Sequence, residues 1–141
     1  MDLNWLNDQV GRLPKGERAK LRRNQRGEGF WKIAARADVE PHEEPRLELL
    51  CYAVAQLGQG QQDFGAALYE ADYSKTRLNR LLETKDPETE GRKAINFLAA
   101  QDKSADWTEL TDLLRYRNDR ARESIARSYY FAQHKDMRIR G

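Results

Sequence analysis

Lys75, Thr76, Arg77, Asn79 and Arg80 follow one serine in the run DFGAALYEADYSKTRLNRLLE, from Asp63 to Glu83. None of these side chains attacks a carbonyl or holds a metal. Amines and guanidinium groups around a helix start suit phosphate, through their charge and through free backbone N–H groups. Ser74 stands at the N-cap position, where its hydroxyl can take an orphan N–H of the first turn. Leu78, Leu81 and Leu82 recur at three- and four-residue spacing and form the inward stripe of that helix. Phe64, Ala67 and Leu68 form the stripe of a shorter helix before it, joined by a corner at Ala71-Asp72-Tyr73. The bland alternative is an αα-hairpin whose cations are merely solvated.

Catalytic constellations are absent from the sequence. His42 sits in an acidic connector and His134 near the end, neither with metal-ligand spacing. No Gly-rich phosphate loop, nucleophile elbow or HExxH run occurs. The acidic residues fall at cap positions and on polar faces. We therefore expect no catalytic residues, no metal, no cofactor and no enzymatic activity. Cys51, the sole cysteine, lies among Leu47, Leu50 and Val54 and reads as a small core residue. With no disulfide possible, no signal-like start and no apolar run long enough for a bilayer, a cytoplasmic protein is expected, with no membrane partner.

The elements that position the cations are helical throughout. Leu3, Leu6, Val10 and Leu13 mark a first helix capped by Asp2, with Trp5 at its edge, and Pro14 breaks it. A basic segment follows in PKGERAKLRR, with Ala19 and Leu21 inward. Phe30, Trp31 and Ile33 then read as an anchor on the core. Interleaved with arginines, they are alternatively a stacking platform for bases. Asp38 to Pro45 is an acidic connector. Glu43 to Leu57 is the most apolar helix, with Leu47, Leu50, Cys51, Val54 and Leu57 on one stripe, and belongs near the centre. GQGQQ at 58–62 is a turn. Asp86-Pro87 opens another helix, cap then proline, with Ala94, Ile95 and Leu98 inward and Phe97 a further candidate for that side. DWTE at 106–109 imitates a capping box. Trp107, Leu110, Leu113 and Leu114 follow it. Asp119 can cap a last helix with Ile125, Ala126 and Tyr129 inward, and from His134 the chain is expected to fray. At 141 residues, with nine glycines and four prolines, this predicts one all-α domain over 1–141, a compact bundle of about six to eight helices.

Charge is distributed in blocks although the net is only +2. Residues 12–36 carry nine Arg and Lys against Glu17 and Glu28. Residues 37–74 carry eight Asp and Glu against Arg46. Residues 115–140 carry eight Arg and Lys against Asp119, Glu123 and Asp136. Two basic blocks around an acidic one can fold into a bipolar surface, or can neutralise each other within the fold.

The order of signals resembles the CasB family, the small subunit of the type I-E CRISPR surveillance complex Cascade. The resemblance runs through AKLRR at 19–23, Phe30-Trp31, the central apolar helix, FGAAL at 64–68, SKTRLNRLL at 74–82, DWTELTDLL at 106–114 and IARSYY at 125–130. It implies a small, non-catalytic subunit that binds nucleic acid without reading sequence and stabilises the R-loop of guide RNA and target DNA in antiviral defence. It implies as partners the backbone and large Cascade subunits, a second copy of the chain, the crRNA and the target DNA, including its displaced strand. Family match and expected exposure together select Arg22, Arg23, Lys75, Arg77, Arg80, Arg115, Arg120, Arg122 and Arg127 as nucleic-acid contacts. Roughly half of them should meet phosphate, and the others should meet the acidic region or partner subunits. The competing possibilities are a helix-turn-helix transcription regulator that uses residues 63–83, a protein-interaction adaptor and, last, an enzyme.

Overall fold

Leu47, Leu49, Leu50, Cys51, Tyr52, Ala53 and Val54 are buried in succession, so one helix in the first part of the chain is covered on nearly every side. In the computed structural model, which describes residues 1–140, that helix is α4 (Glu44–Leu57). The helices α1 (Leu3–Gly11), α2 (Lys15–Arg22) and α3 (Glu28–Ala37) all pack on it. Together they form a first compact unit, Met1–Gln59. Asp2 caps α1 as expected, accepting from the N–H groups of Asn4 and Trp5 at 2.8 and 3.3 Å. Asn24 and Asp38 take left-handed conformations that end α2 and α3, with φ of 58° and 53°. Asn and Asp tolerate that region because their short polar side chains bond locally. The acidic connector is ordered: Pro41–Glu43 is a 3-10 turn fixed by a reciprocal Glu40–Glu43 capping box. Leu57, expected on the α4 stripe, is only half-buried where the helix ends at Gly58.

Phe30 and Ile33 are fully buried, but Trp31 is not, being 47% exposed. The anchor is thus two residues and not three. Trp31 packs edge-on against Phe30, and its indole N–H donates to the Arg26 carbonyl at 3.1 Å. Burial pushes the Cys51 thiol up to about 12, with Glu48 adding to the shift, so it is an inert core group.

Glu17 ties α2 to α3. Its carboxylate accepts from the Gly29 N–H at 3.0 Å and from Lys20 at 3.1 Å. The Gly29 bond, then Lys20, hold its pKa below the ordinary 4.5. A depressed carboxylate stabilises the fold above its unfolded pKa and loses that contribution as pH falls through the folded one. Stability of the wild type should therefore drop below about pH 4.5 more steeply than that of Glu17→Gln. Urea midpoints measured across that range check this, and parallel curves would refute it.

From Gly60 onward a second unit holds α5 (Phe64–Glu70), α6 (Lys75–Glu83), α7 (Pro87–Ala99), α8 (Thr108–Tyr116) and α9 (Asp119–Arg140). Nine α-helices among the described residues exceed the expected six to eight. Short linkers with single left-handed residues, such as Asn24 at φ 58° between α2 and α3, divide what a coarser division would merge. The fold is all-α, and among these residues an isolated parallel bridge between Asp63 and Asp106 is the sole extended pairing. The closest packing in this unit is α5 on α9. A Cβ at Gly65 would run into the Ile125 carbonyl oxygen and the Ser128 hydroxyl and lie 2.9 Å from the Tyr129 nitrogen. Trp107 is fully buried against Phe64, ring centroids 5.9 Å apart.

Three expectations in this unit are corrected. Glu109 does not close a capping box. It accepts from the Gly65 N–H at 3.0 Å, Ser128 at 2.8 Å and Ser124 at 2.7 Å, joining α5, α8 and α9. Asp106 instead holds Thr108, through both the N–H and the hydroxyl. Asn118 rather than Asp119 caps α9, accepting from the Ala121 N–H at 2.9 Å. The chain does not fray at His134: α9 runs on to Arg140, and the Tyr69 hydroxyl donates to Asp136 at 2.7 Å. That long-range bond lies beyond the reach of local periodicity.

Candidate nucleic-acid interface

Ser74 caps α6 as its position predicts, accepting from the Arg77 N–H at 3.2 Å. Leu78 and Leu81 go inward, Leu82 is half-buried, and Lys75, Thr76, Arg77, Asn79 and Arg80 are exposed. The α6 cations then divide between two neighbours. Lys75 lies over the Tyr130 ring of α9 at 5.8 Å, and the Arg77 guanidinium lies over the Phe97 ring of α7 at 5.1 Å. Successive residues step 100° around a helix, so positions 75 and 77 flank the buried stripe on opposite sides.

Arg120 and Arg127 share a face of α9, two turns apart. Arg127 stacks over Phe131 at 4.5 Å. Tyr130, His134 and Arg138 continue that side of the helix and are exposed. From Arg120 to Arg138 the row extends about 27 Å at 1.5 Å per residue. Lys135 and Arg138 were missed because the last turns were expected to be unfolded. The spacing 127, 131, 134, 138 is the signal that would have found Arg138.

Arg115 lies over Tyr116 at 5.2 Å, at the exposed end of α8. Arg122 differs from the rest: it is half-buried, paired with Asp119 at 3.1 Å and bonded to the Arg117 carbonyl at 3.0 Å. In the first unit, Arg22 is exposed and donates to the Ala55 carbonyl at 3.1 Å, and Arg23 is exposed at the end of α2. Of the nine selected cations, Arg122 alone has a carboxylate within ion-pair distance among the described residues. Four of the acidic block's eight carboxylates are engaged elsewhere. Arg26 holds Glu44 and Glu48 at 2.9 and 3.1 Å, Arg46 holds Glu43 at 2.6 Å, and Lys103 holds Glu70 at 2.8 Å. Ion pairs take up Arg12, Lys20, Arg26, Lys32, Arg117 and Arg122 of the two basic blocks and leave Arg22, Arg23, Lys75, Arg77, Arg80, Arg115, Arg120 and Arg127 without carboxylate partners among the described residues.

Exposed cations beside aromatic rings can meet phosphates and bases together. Among the described residues no cluster of three His, Cys, Asp or Glu side chains could hold a metal, and no helix is long and apolar enough to cross a membrane. The class these features define is an all-helical protein with exposed cations beside aromatic rings. The family model described as CRISPR-associated protein Cse2 matches residues 17–130, and the chain belongs to this family, the CasB small subunits of type I-E Cascade. Comparisons with curated proteins and with solved structures returned no match.

Proposed function

We propose that the chain acts as the non-catalytic small subunit of a cytoplasmic type I-E Cascade, with both helical units forming one small-subunit domain. In this role it grips nucleic acid by the sugar-phosphate backbone, without reading sequence, and stabilises the R-loop between crRNA and target DNA. Its protein partners are the backbone and large subunits and a second copy of itself; its strands include the displaced one. The observation that carries this proposal is the exposure of eight of the nine selected cations, which have no carboxylate partner among the described residues. Surface cations contribute little to stability, about 0–1 kcal/mol per ion pair even when paired, so folding alone gives no reason for so many arginines. Exchange of a DNA duplex for a guide–target hybrid is nearly balanced, and modest backbone contacts can tip it.

Binding of random single- and double-stranded DNA at two salt concentrations tests this. If about half of the eight cations meet phosphate, the single-strand affinity should fall roughly 50-fold between about 50 and 200 mM salt, at a slope near 0.7 per contact. Binding confined to one duplex sequence would instead make residues 63–83 a repressor motif. No binding by the isolated chain would leave an adaptor.

A further inference from the structure

We propose that the groove between α6 and α7 takes one unpaired nucleotide of a single strand. Its base would stack on Phe97, and its phosphates would be held by Arg77, Arg80 and Lys93. The proposal rests on the nucleic-acid role above and adds a specific place and a preference for unpaired bases.

The groove encloses about 480 Å³, in the range of small-molecule sites. Three cations line it against one carboxylate, Glu90, which Lys93 already holds at 3.2 Å. Arg77 and Arg80 are left with no carboxylate of their own among the described residues. Phe97 is half-exposed in the wall. The buried Tyr73 ring packs against it at 5.2 Å and 69°, which holds its orientation. Over the ring, at 5.1 Å, lies the Arg77 guanidinium, a flat cation in the place a base would take. A cation on an exposed ring is held weakly, whereas a base on an aromatic face is held more strongly. A base can therefore displace Arg77 from the ring, and the freed guanidinium then meets the adjoining phosphate. In a duplex each base is covered above and below by its neighbours, so the ring accepts only a splayed one. Every base offers a π face, so the site has no sequence preference.

The test compares a mixed-sequence single strand with a strand of equal length made only of abasic sugar-phosphate, both bound to the full chain. The wild type should prefer the strand with bases by about tenfold. Phe97→Leu should reduce that preference to less than about twofold. Lys93→Glu, at a side chain 65% exposed and remote from the core, should weaken binding of the ordinary strand severalfold. If Phe97→Leu fails to fold by circular dichroism, Lys93→Glu decides. Equal affinity of the wild type for the two strands would overturn the stacking while leaving the phosphate grip intact. A preference that survives Phe97→Leu would move the stacking site elsewhere and overturn this assignment, and so would ordinary-strand affinity unchanged by Lys93→Glu. No binding of either strand would overturn the function above as well.

Discussion

Gly65→Ala is expected to destabilise the second unit by about 2 kcal/mol or more. Alanine is the better helix former by about 1 kcal/mol, so local propensity alone predicts a gain. Packing reverses the sign. The new methyl would meet the Ile125 carbonyl oxygen and the Tyr129 nitrogen, which are backbone atoms of α9 and cannot rotate aside. Relief requires α5 to move off α9. That would also break the Glu109 bond to the Gly65 N–H and draw α6, with Lys75, away from Tyr130. Urea unfolding followed by circular dichroism should show a midpoint lower by roughly 1 M. Gly16→Ala is the control, because nothing lies within 4 Å of its added Cβ. It should leave the midpoint unchanged or raise it by up to about 1 kcal/mol of stability. Equal midpoints for wild type and Gly65→Ala would mean that α5 and α9 do not approach as described.

Replacing Lys75, Arg77 and Arg80 together with alanine should lower single-strand affinity about 100-fold and flatten the salt dependence by about two in log–log slope. At roughly 1 kcal/mol per contact, three contacts amount to about two decades. Helicity should stay intact, because all three side chains are exposed and none is ion-paired among the described residues. Arg122→Ala provides the contrast. Its guanidinium is already held by Asp119 and the Arg117 carbonyl, so affinity should change by less than about threefold. A triple variant that binds like the wild type would remove α6 from the contact surface. An Arg122→Ala loss as large as that of the triple would show that its internal partners yield to phosphate.

Local chemistry carried much of the fold into view before any coordinates. Ser74, Asp2 and Asp86 cap helices as their positions predict, because a cap bond spans only two or three residues. The stripes of Phe64, Ala67 and Leu68, and of Leu110, Leu113 and Leu114, are buried as their spacing requires. The errors share one cause. Glu109 had a local partner available in principle but bonds to Gly65, 44 residues away in sequence. Trp31 reads as core by type, yet Phe30 and Ile33 fill that space and leave its ring outside. The end of α9 carries no apolar periodicity, and its order comes with the bond from Tyr69 to Asp136.

Amino-acid order alone determined the all-helical class, several of the helix starts and the family, since each depends on residue type and short-range spacing. Tertiary structure alone decided which cations remain unpaired and which aromatic ring each lies upon. Those outcomes depend on which helix faces meet, and a distance between side chains far apart in sequence is not encoded in any single stretch of it.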